Sequence, residues 1–127
     1  MSDEDAKLVT LARAARTRSL VRGRDLPKAG AAIRDRMGRT FAAGTVDRMA
    51  MSLDALALAV AMAATSGADG AECAVVVVDE TDVPQRGDDG LPSSFAMGVR
   101  ALAEQAGARV PIWWCDSSGT VWAQTQA

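Results

Sequence analysis

Few residues in this chain could perform chemistry, and the missing types restrict the reactions that are possible. The 127 residues include no histidine and two cysteines, Cys73 and Cys115. A zinc ion that activates water needs about three His, Cys or carboxylate ligands at one point. A cysteine hydrolase ordinarily needs a histidine as general base. The composition therefore argues against both kinds of hydrolase site.

The two cysteines are typical of buried structural residues. Cys73 begins the apolar run CAVVVV, and Cys115 ends the run VPIWWC. Their strands are predicted to be neighbours, so the thiols could approach each other, but two thiols without a third ligand do not form a zinc site. We expect both cysteines to be reduced and to pack as small apolar side chains.

Two other groups of polar residues are candidates for ligand binding. Ser93 and Ser94 open a predicted helix, where free backbone N–H groups can hold phosphate, although an N-cap role explains them more simply. An acidic cluster precedes them and could bind Mg²⁺, but it lacks an ordered ligand pattern. We therefore interpret residues 79–90 as a mobile, solvated loop. The cluster consists of Asp79, Glu80, Asp82, Asp88 and Asp89.

Charge is distributed unevenly along the chain. The segment from Lys7 to Arg48 contains eleven Lys or Arg residues and three Asp or Glu residues, although the whole chain has a formal net charge of -2. A basic segment can bind nucleic acid, but it can also be the solvated face of a helix. Phe41 is the one aromatic residue of this segment on which a base could stack, which favours the second interpretation.

The composition favours a globular, cytoplasmic protein. Hydrophobic residues make up 49% of the chain, which is enough for a core. No run of about 18 apolar residues could span a membrane. The N-terminal sequence MSDEDAK is acidic and lacks the pattern of a signal peptide. We expect one domain over residues 1–127, with mobile termini.

Hydrophobic periodicity predicts alternating helices and strands. The predicted helices cover 4–19, 52–65 and 92–106, and the predicted strands cover 28–36, 39–46, 73–78, 110–115 and 120–124. Ser52 is the predicted N-cap of the second helix, and Met37-Gly38 forms a hairpin turn. Trp113 and Trp114 are adjacent on a strand and should face opposite sides. The order α-β-β-α-β-α-β-β predicts an α/β fold with a mixed five-stranded sheet and helices on its faces.

The second predicted helix is apolar on every side. Its one charged residue is Asp54. A helix of this kind must be buried all round, and a domain of this size has little to cover the face that points away from the sheet. We therefore expect a homo-oligomer, a dimer or a tetramer, that packs through helix 52–65 with Met49, Met51 and Met62 as adaptable contacts. Burial by other helices of the same protomer is the alternative.

The chain resembles the cytidine deaminase family in the order and the amino-acid sequences of these elements, from Lys7 to Gln124. Five segments are similar, in this order, to the family's first helix, its hairpin, its catalytic helix, the next strand, and the helix of its Pro-Cys-x-x-Cys motif. The segments are LARAARTRS, AGAAIRDRMGRTFAAGTVD, DALALAVAMAATSGA, CAVVVVDE and LPSSFAMGVRAL. The resemblance implies the three-layer α-β-α cytidine deaminase-like fold.

The positions that the resemblance assigns to the zinc site have changed in this chain. The ligand and the glutamate of the catalytic helix correspond to Asp54 and Leu56, and the two cysteines after Pro92 correspond to Ser93 and Ala96. One carboxylate does not hold zinc, and a leucine cannot transfer the proton that the family's glutamate transfers. The resemblance therefore implies a vestigial site without catalytic residues, without zinc and without any other cofactor.

Three positions could still bind a nucleoside-like molecule. The resemblance places the family's ribose-contacting Asn and Glu at Thr45 and Asp47, although a capping or turn role would also explain Asp47. Phe95 lies between the two changed cysteine positions, where it could line the pocket or fill it. These three residues are therefore the candidate ligand contacts.

Three functional hypotheses follow from these observations. The first is a deaminase-like protein without zinc or catalysis, which acts as a structural, regulatory or nucleoside-binding homo-oligomer. The second is an active nucleoside or amidine hydrolase that uses unconventional residues such as Asp54 and Asp47. The third is a module that binds RNA or DNA through its basic N-terminal half, with an affinity that depends steeply on salt.

Overall fold

The computed structural model describes residues 2–23, 25–83 and 92–127. Most of the acidic segment 79–90, with Asp88 and Asp89, lies outside these ranges, whereas Glu80–Asp82 forms a single turn of 3₁₀ helix. Hydrogen bonds involve the first and the last residue that the structure describes. The side chain of Ser2 caps the first helix, and the backbone N–H of Ala127 donates to the carbonyl of Val110 at 2.9 Å.

The order of the main elements confirms the predicted α-β-β-α-β-α-β-β arrangement. The helices are α1 (Asp3–Arg16), α2 (Ala55–Thr65) and α3 (Ala96–Ala106). The strands are β1 (Leu20–Val21), β2 (Gly30–Arg34), β3 (Thr40–Gly44), β4 (Val46–Asp47), β5 (Ser52–Leu53), β6 (Cys73–Val77), β7 (Pro111–Cys115) and β8 (Val121–Gln126). Within the described ranges, no helix has the length and apolar character that crossing a membrane requires.

The main sheet has the strand order β3-β2-β6-β7-β8 over the described part of the chain. Strands β6 and β7 pair in parallel, and the other neighbours pair antiparallel. Because alternate side chains of a strand point to opposite faces, β6 contributes to two cores. Val76 packs into the core that contains residues of α2 and α3, and Val75 packs into the core that contains residues of α1. The sheet is therefore the middle of three layers.

Trp113 and Trp114 face opposite sides of β7, as the sequence predicts. Trp114 is fully buried in the core under α2 and α3, and Trp113 packs against the core under α1. Gly30 explains how closely α1 approaches the sheet. A Cβ atom at this position would collide with the carbonyl oxygen of Ala12 and lie 2.5 Å from the backbone nitrogen of Arg16.

The second helix begins later than the sequence predicts, and the prediction of Ser52 as its N-cap is wrong. Ser52 and Leu53 pair with β4 as strand β5, so the chain is still extended there. Asp54 is the N-cap, with φ -64° and ψ 156°. The β1, β4 and β5 strands form a small sheet that the sequence analysis did not predict, because strands of two residues leave no periodicity to detect.

The two cysteines lie at opposite ends of parallel neighbouring strands, so the expectation that they could approach each other is wrong. Cys115 is opposite Val77, whereas Cys73 begins β6 four residues earlier. At the usual strand rise their Cα atoms are separated by about 13 Å along the strands. Both thiols are free and buried, and burial raises the pKa of each to about 11.

Asp35 joins the β2–β3 turn to the segment before β6. Its Oδ1 accepts hydrogen bonds from the backbone N–H groups of Met37 and Arg39, at 3.0 Å and 2.8 Å. Its Oδ2 accepts from Nε of Arg39 at 2.9 Å and from the backbone N–H of Asp69 at 3.1 Å. Burial alone would raise the pKa of Asp35, but these donors outweigh it and hold the pKa below its ordinary value of 3.8.

We predict that Asp35→Asn lowers the thermal stability and flattens its dependence on acid pH. The amide keeps one acceptor and places an NH₂ group against N–H donors, so Tm at pH 7 should fall by roughly 5 °C or more. Because the folded pKa is depressed, the contribution of Asp35 is fully present above the unfolded pKa and is lost as the pH falls through the folded pKa. Thermal unfolding between pH 2 and pH 7 measures both effects.

Glu104→Gln is the matched control, because Glu104 is an exposed acid on α3. It should unfold as the wild type does at each pH. An Asp35→Asn variant with the same Tm as the wild type at every pH would contradict the conclusion that Asp35 stabilises the junction between the β2–β3 turn and the segment before β6.

Candidate functional site

The candidate site lies where the first turns of α2 and α3 meet. Asp54 is the N-cap of α2 and is only 3% exposed. Its Oδ1 accepts a hydrogen bond from the backbone N–H of Ala57 at 2.9 Å, and its Oδ2 accepts from the backbone N–H of Gly98 at 3.1 Å. The carboxyl group therefore uses both oxygens to bind backbone groups of two different helices.

Asp54 also supplies the cap that α3 lacks. The N-cap residue of α3 is Phe95, whose side chain cannot accept a hydrogen bond. Gly98 is in the first turn of α3, where N–H groups have no partner within the helix. Because Asp54 of the neighbouring helix accepts from this N–H, one carboxyl group caps two helices. A cap of this kind stabilises each helix and fixes their relative position.

The close approach of the two helices depends on Gly98. A Cβ atom at this position would collide with Oδ1 of Asp54 and lie 2.7 Å from the backbone nitrogen of Ala57. Gly98 was not among the residues predicted for the site. The signal was a glycine inside the predicted helix 92–106, because such a glycine commonly has a packing reason.

Burial controls the titration of Asp54. Desolvation raises its pKa above the ordinary 3.8, although hydrogen bonds from the backbone of Ala57, Gly98 and Leu56 act in the opposite direction. The group stays protonated to a higher pH than an ordinary aspartate. The proton-linked part of its contribution to stability is fully present below the unfolded pKa and declines as the pH rises through the folded pKa, whereas the ionised group can still accept both backbone hydrogen bonds. Both oxygens already accept backbone hydrogen bonds, so a metal ion at this carboxyl group would have to compete with these donors.

Apolar side chains fill the space beside Asp54. Leu56 and Phe95 are fully buried in the same core. The ring of Phe95 meets Trp114 edge to face, with centroids 5.1 Å apart and an interplanar angle of 75°. Trp114 lies 6.2 Å from Trp122 in a tilted arrangement. Leu56 therefore occupies a packed position, where it has no group that could carry a proton.

Ser93 and Ala96 are placed differently from Asp54. Both are exposed, Ser93 in the turn of 3₁₀ helix Ser93–Phe95 and Ala96 as the first residue of α3. An alanine side chain has no donor atom for a metal ion. Across residues 2–23, 25–83 and 92–127, no group of three or more His, Cys, Asp or Glu side chains could hold a metal ion. A zinc ion bound as in the family's zinc-dependent members therefore does not fit the described residues.

Thr45 and Asp47 are buried and bonded within their own chain. The Thr45 hydroxyl accepts from the backbone N–H of Ala29 at 3.1 Å and donates to the carbonyl of Pro27 at 2.9 Å. The Asp47 carboxylate accepts from the backbone N–H of Leu26 at 3.2 Å and from the Ser52 hydroxyl at 2.8 Å. Both side chains thus hold the segment before β2 against the small sheet. Their role as ligand contacts stays a prediction.

Structural neighbours have the same fold. A cytidine deaminase from Burkholderia pseudomallei, solved at 1.6 Å, superposes with a TM-score of 0.74 at 18% identity, over 98% of this chain and 92% of that chain. A cytidine deaminase from Mycobacterium leprae superposes with a TM-score of 0.66 at 19% identity, over 90% of this chain and 89% of that chain. No curated protein sequence matches at a significant level.

The sequence also matches a family model over most of its length. The model describes a cytidine deaminase-like domain and covers residues 1–119 of the chain. This range includes the hairpin, both helices of the candidate site and the strands β6 and β7. The match agrees with the structural neighbours. The chain therefore belongs to the cytidine deaminase-like family.

Proposed function

We propose that this protein is a non-catalytic member of its family that acts as a structural homo-oligomer. The observation that carries the proposal is the bonding of Asp54. At the position of the family's helix ligand, this carboxyl group accepts from the N–H groups of Ala57 and Gly98. It thereby serves helix capping rather than metal binding.

Hydrolytic deamination needs two things at this place, a group that activates water and a group that transfers protons. Leu56, at the position of the proton-transferring glutamate, is fully buried in the apolar core. Ser93 and Ala96 replace the thiolate ligands. An unconventional hydrolase built on Asp54 and Asp47 is not favoured, because both carboxyl groups are buried and bonded to other groups of the chain.

The bonding of Thr45 and Asp47 favours a structural role over nucleoside binding. Each side chain already satisfies its hydrogen-bonding groups with the chain itself. A ribose hydroxyl would have to compete with these internal bonds, and breaking them would leave buried polar groups unpaired. Phe95 supports the same conclusion, because its ring packs into the core against Trp114.

Self-association is supported by exposed apolar side chains on the layer that contains α2 and α3. Met62 on α2 is 41% exposed, and Met97 on α3 is 55% exposed. Met49 and Met51, which lie in the connection between β4 and β5, are also exposed. Methionine adapts its shape to a partner surface, and burial of apolar area drives association. A second copy of the chain would cover the face of α2 that the protomer leaves in solvent.

The first prediction from this proposal is that the purified protein contains no stoichiometric zinc and releases no ammonia from cytidine or adenosine. Elemental analysis should give far less than one zinc per chain, because the ligands do not converge. A zinc-dependent cytidine deaminase purified in the same buffers is the positive control for both assays. One zinc per chain, or ammonia release that Asp54→Ala abolishes, would overturn the proposal.

A second prediction concerns the structural role of Asp54. Asp54→Ala removes the cap of α2 and leaves the N–H groups of Ala57 and Gly98 buried without an acceptor. The free energy of unfolding should therefore fall by about 2–4 kcal/mol. Asp54→Ser keeps a capping oxygen for α2 but is too short to reach α3, so it should lose roughly half as much. Urea denaturation measures both values.

Thr65→Ala serves as the control for these variants, since Thr65 is exposed at the other end of α2. Its stability should change by less than about 0.5 kcal/mol. Equal stability of the wild type and Asp54→Ala would show that the cap is not structural, and the proposal would lose its main support.

A third prediction concerns assembly. Met62→Glu places a charge on the exposed face of α2, so association should weaken by at least about tenfold. Light scattering after size-exclusion chromatography should show the wild type as an oligomer and the variant shifted to the monomer. Met37→Glu is the control, because Met37 is exposed in the β2–β3 turn. A monomeric wild type would refute the assembly through α2.

A further inference from the structure

A cavity lies on the opposite side of the sheet from Asp54. It has a volume of about 370 Å³ and is bounded by α1, the end of β6 and the turn between β7 and β8. Its lining residues are Thr10, Arg13, Ala14, Arg16, Thr17, Val77 and Ser117. The cavity is thus at the carboxyl ends of the parallel pair β6 and β7, where crevices in α/β sheets commonly bind ligands.

Arg16 is turned into the molecule and is incompletely bonded. Its side chain is 20% exposed, and its Nη2 lies 3.5 Å from Oδ2 of Asp79, which is longer than an ordinary charge-assisted hydrogen bond. Its Nε is buried and has no hydrogen-bond partner among the described residues. A buried N–H of a cation without an acceptor is costly, and in native proteins it commonly marks a bound water or ion.

Arg13 adds a second guanidinium group on the same wall. Its Nε donates to the carbonyl of Ser117 at 3.1 Å, which fixes the side chain across the end of the cavity. Asp79 is anchored nearby, because its Oδ1 accepts from the backbone N–H of Ser117 at 2.8 Å. The two charged side chains among the described lining residues are therefore both cations, and the Asp79 and Asp116 carboxylates are not part of that lining.

A simpler explanation is that these arginines only stabilise the helix dipole, since both lie in the last turn of α1. Arg18 shows what that role requires. It lies at the same end of the helix, is exposed, and donates from Nη1 to the carbonyl of Ala14 at 3.4 Å. The dipole therefore explains a cation in solvent, but it does not explain why Nε of Arg16 is buried without an acceptor.

We propose that this cavity binds a phosphate group, either the free ion or a small phosphate monoester. The planar donors of an arginine match the oxygens of phosphate, and two arginines can bind one such group from two sides. The volume is near the lower end of the range for ligand pockets, about 300–1,000 Å³, which suits a small molecule rather than a polymer. This site is separate from Asp54 and does not depend on the proposed structural role.

The test is a titration of the full-length protein, at constant ionic strength, with inorganic phosphate and with cytidine 5′-monophosphate. The first probe represents the free ion and the second the monoester. Isothermal titration calorimetry measures the affinity, and amide chemical shifts in NMR spectra locate the site. Binding of either probe with shifts at Thr17 and Ser117 supports the proposal. Arg16→Gln should weaken that binding by about tenfold or more, since it removes a charge-assisted contact.

Arg18→Gln is the matched control, because it removes the same charge two residues beyond the end of α1 and outside the cavity lining. It should bind either probe within about twofold of the wild type, because an exposed charge outside a site contributes little at fixed ionic strength. Equal losses in Arg16→Gln and Arg18→Gln would overturn the proposal in favour of a diffuse basic surface, as would tighter binding of single-stranded DNA than of either probe. The absence of binding, or chemical-shift changes centred on Gly98, would also overturn the proposal. If Arg16→Gln does not fold, the chemical-shift changes of the wild type still show whether the probe binds in this cavity.

Discussion

The carboxyl group of Asp54 is the contact on which the α2–α3 layer depends. It accepts from the N–H of Ala57 in its own helix and from the N–H of Gly98 in the neighbouring helix. Both donors are among the groups that a helix leaves unsatisfied at its N-terminus, and both are buried. The two helix dipoles also point their positive ends at this group. Burial opposes its ionisation, so the site balances two strong and opposite effects.

The roles of Phe95 and Asp54 at the start of α3 depend on each other. Phe95 stands at the N-cap of α3, where a side-chain oxygen would ordinarily be preferred. Its ring instead packs edge to face on Trp114, and aromatic pairs of this geometry stabilise a core beyond their buried area. Because this ring packs in the core and accepts no hydrogen bond, α3 has no side-chain cap of its own. The carboxyl group of Asp54 supplies this cap from the adjacent helix, and Gly98 leaves the room for that contact.

The fold was predictable from the sequence where local pattern and burial coincide. The run CAVVVV predicted a strand buried on both faces, and β6 contributes side chains to both cores. The helix start at Asp54 was missed because β5 forms by pairing with β4, which no local pattern records. The capping of two helices by Asp54 could not be predicted from the sequence either. Its second bond joins residues separated by 44 positions, and only the packing of α2 on α3 brings them together.

In the proposed role, a hydrogen bond takes the place of a metal ion as the link between the starts of α2 and α3. A metal ion bound by ligands from the starts of both helices would contribute to folding as well as to chemistry. Here a carboxyl group on α2 and a backbone N–H on α3 make the link directly, and Leu56 and Phe95 add apolar packing around it. A zinc ion at Asp54 would compete with Gly98 for the same oxygen and would meet no second ligand on the helix. The hydrogen bond and the packed ring therefore explain how the layer keeps its geometry without a metal ion.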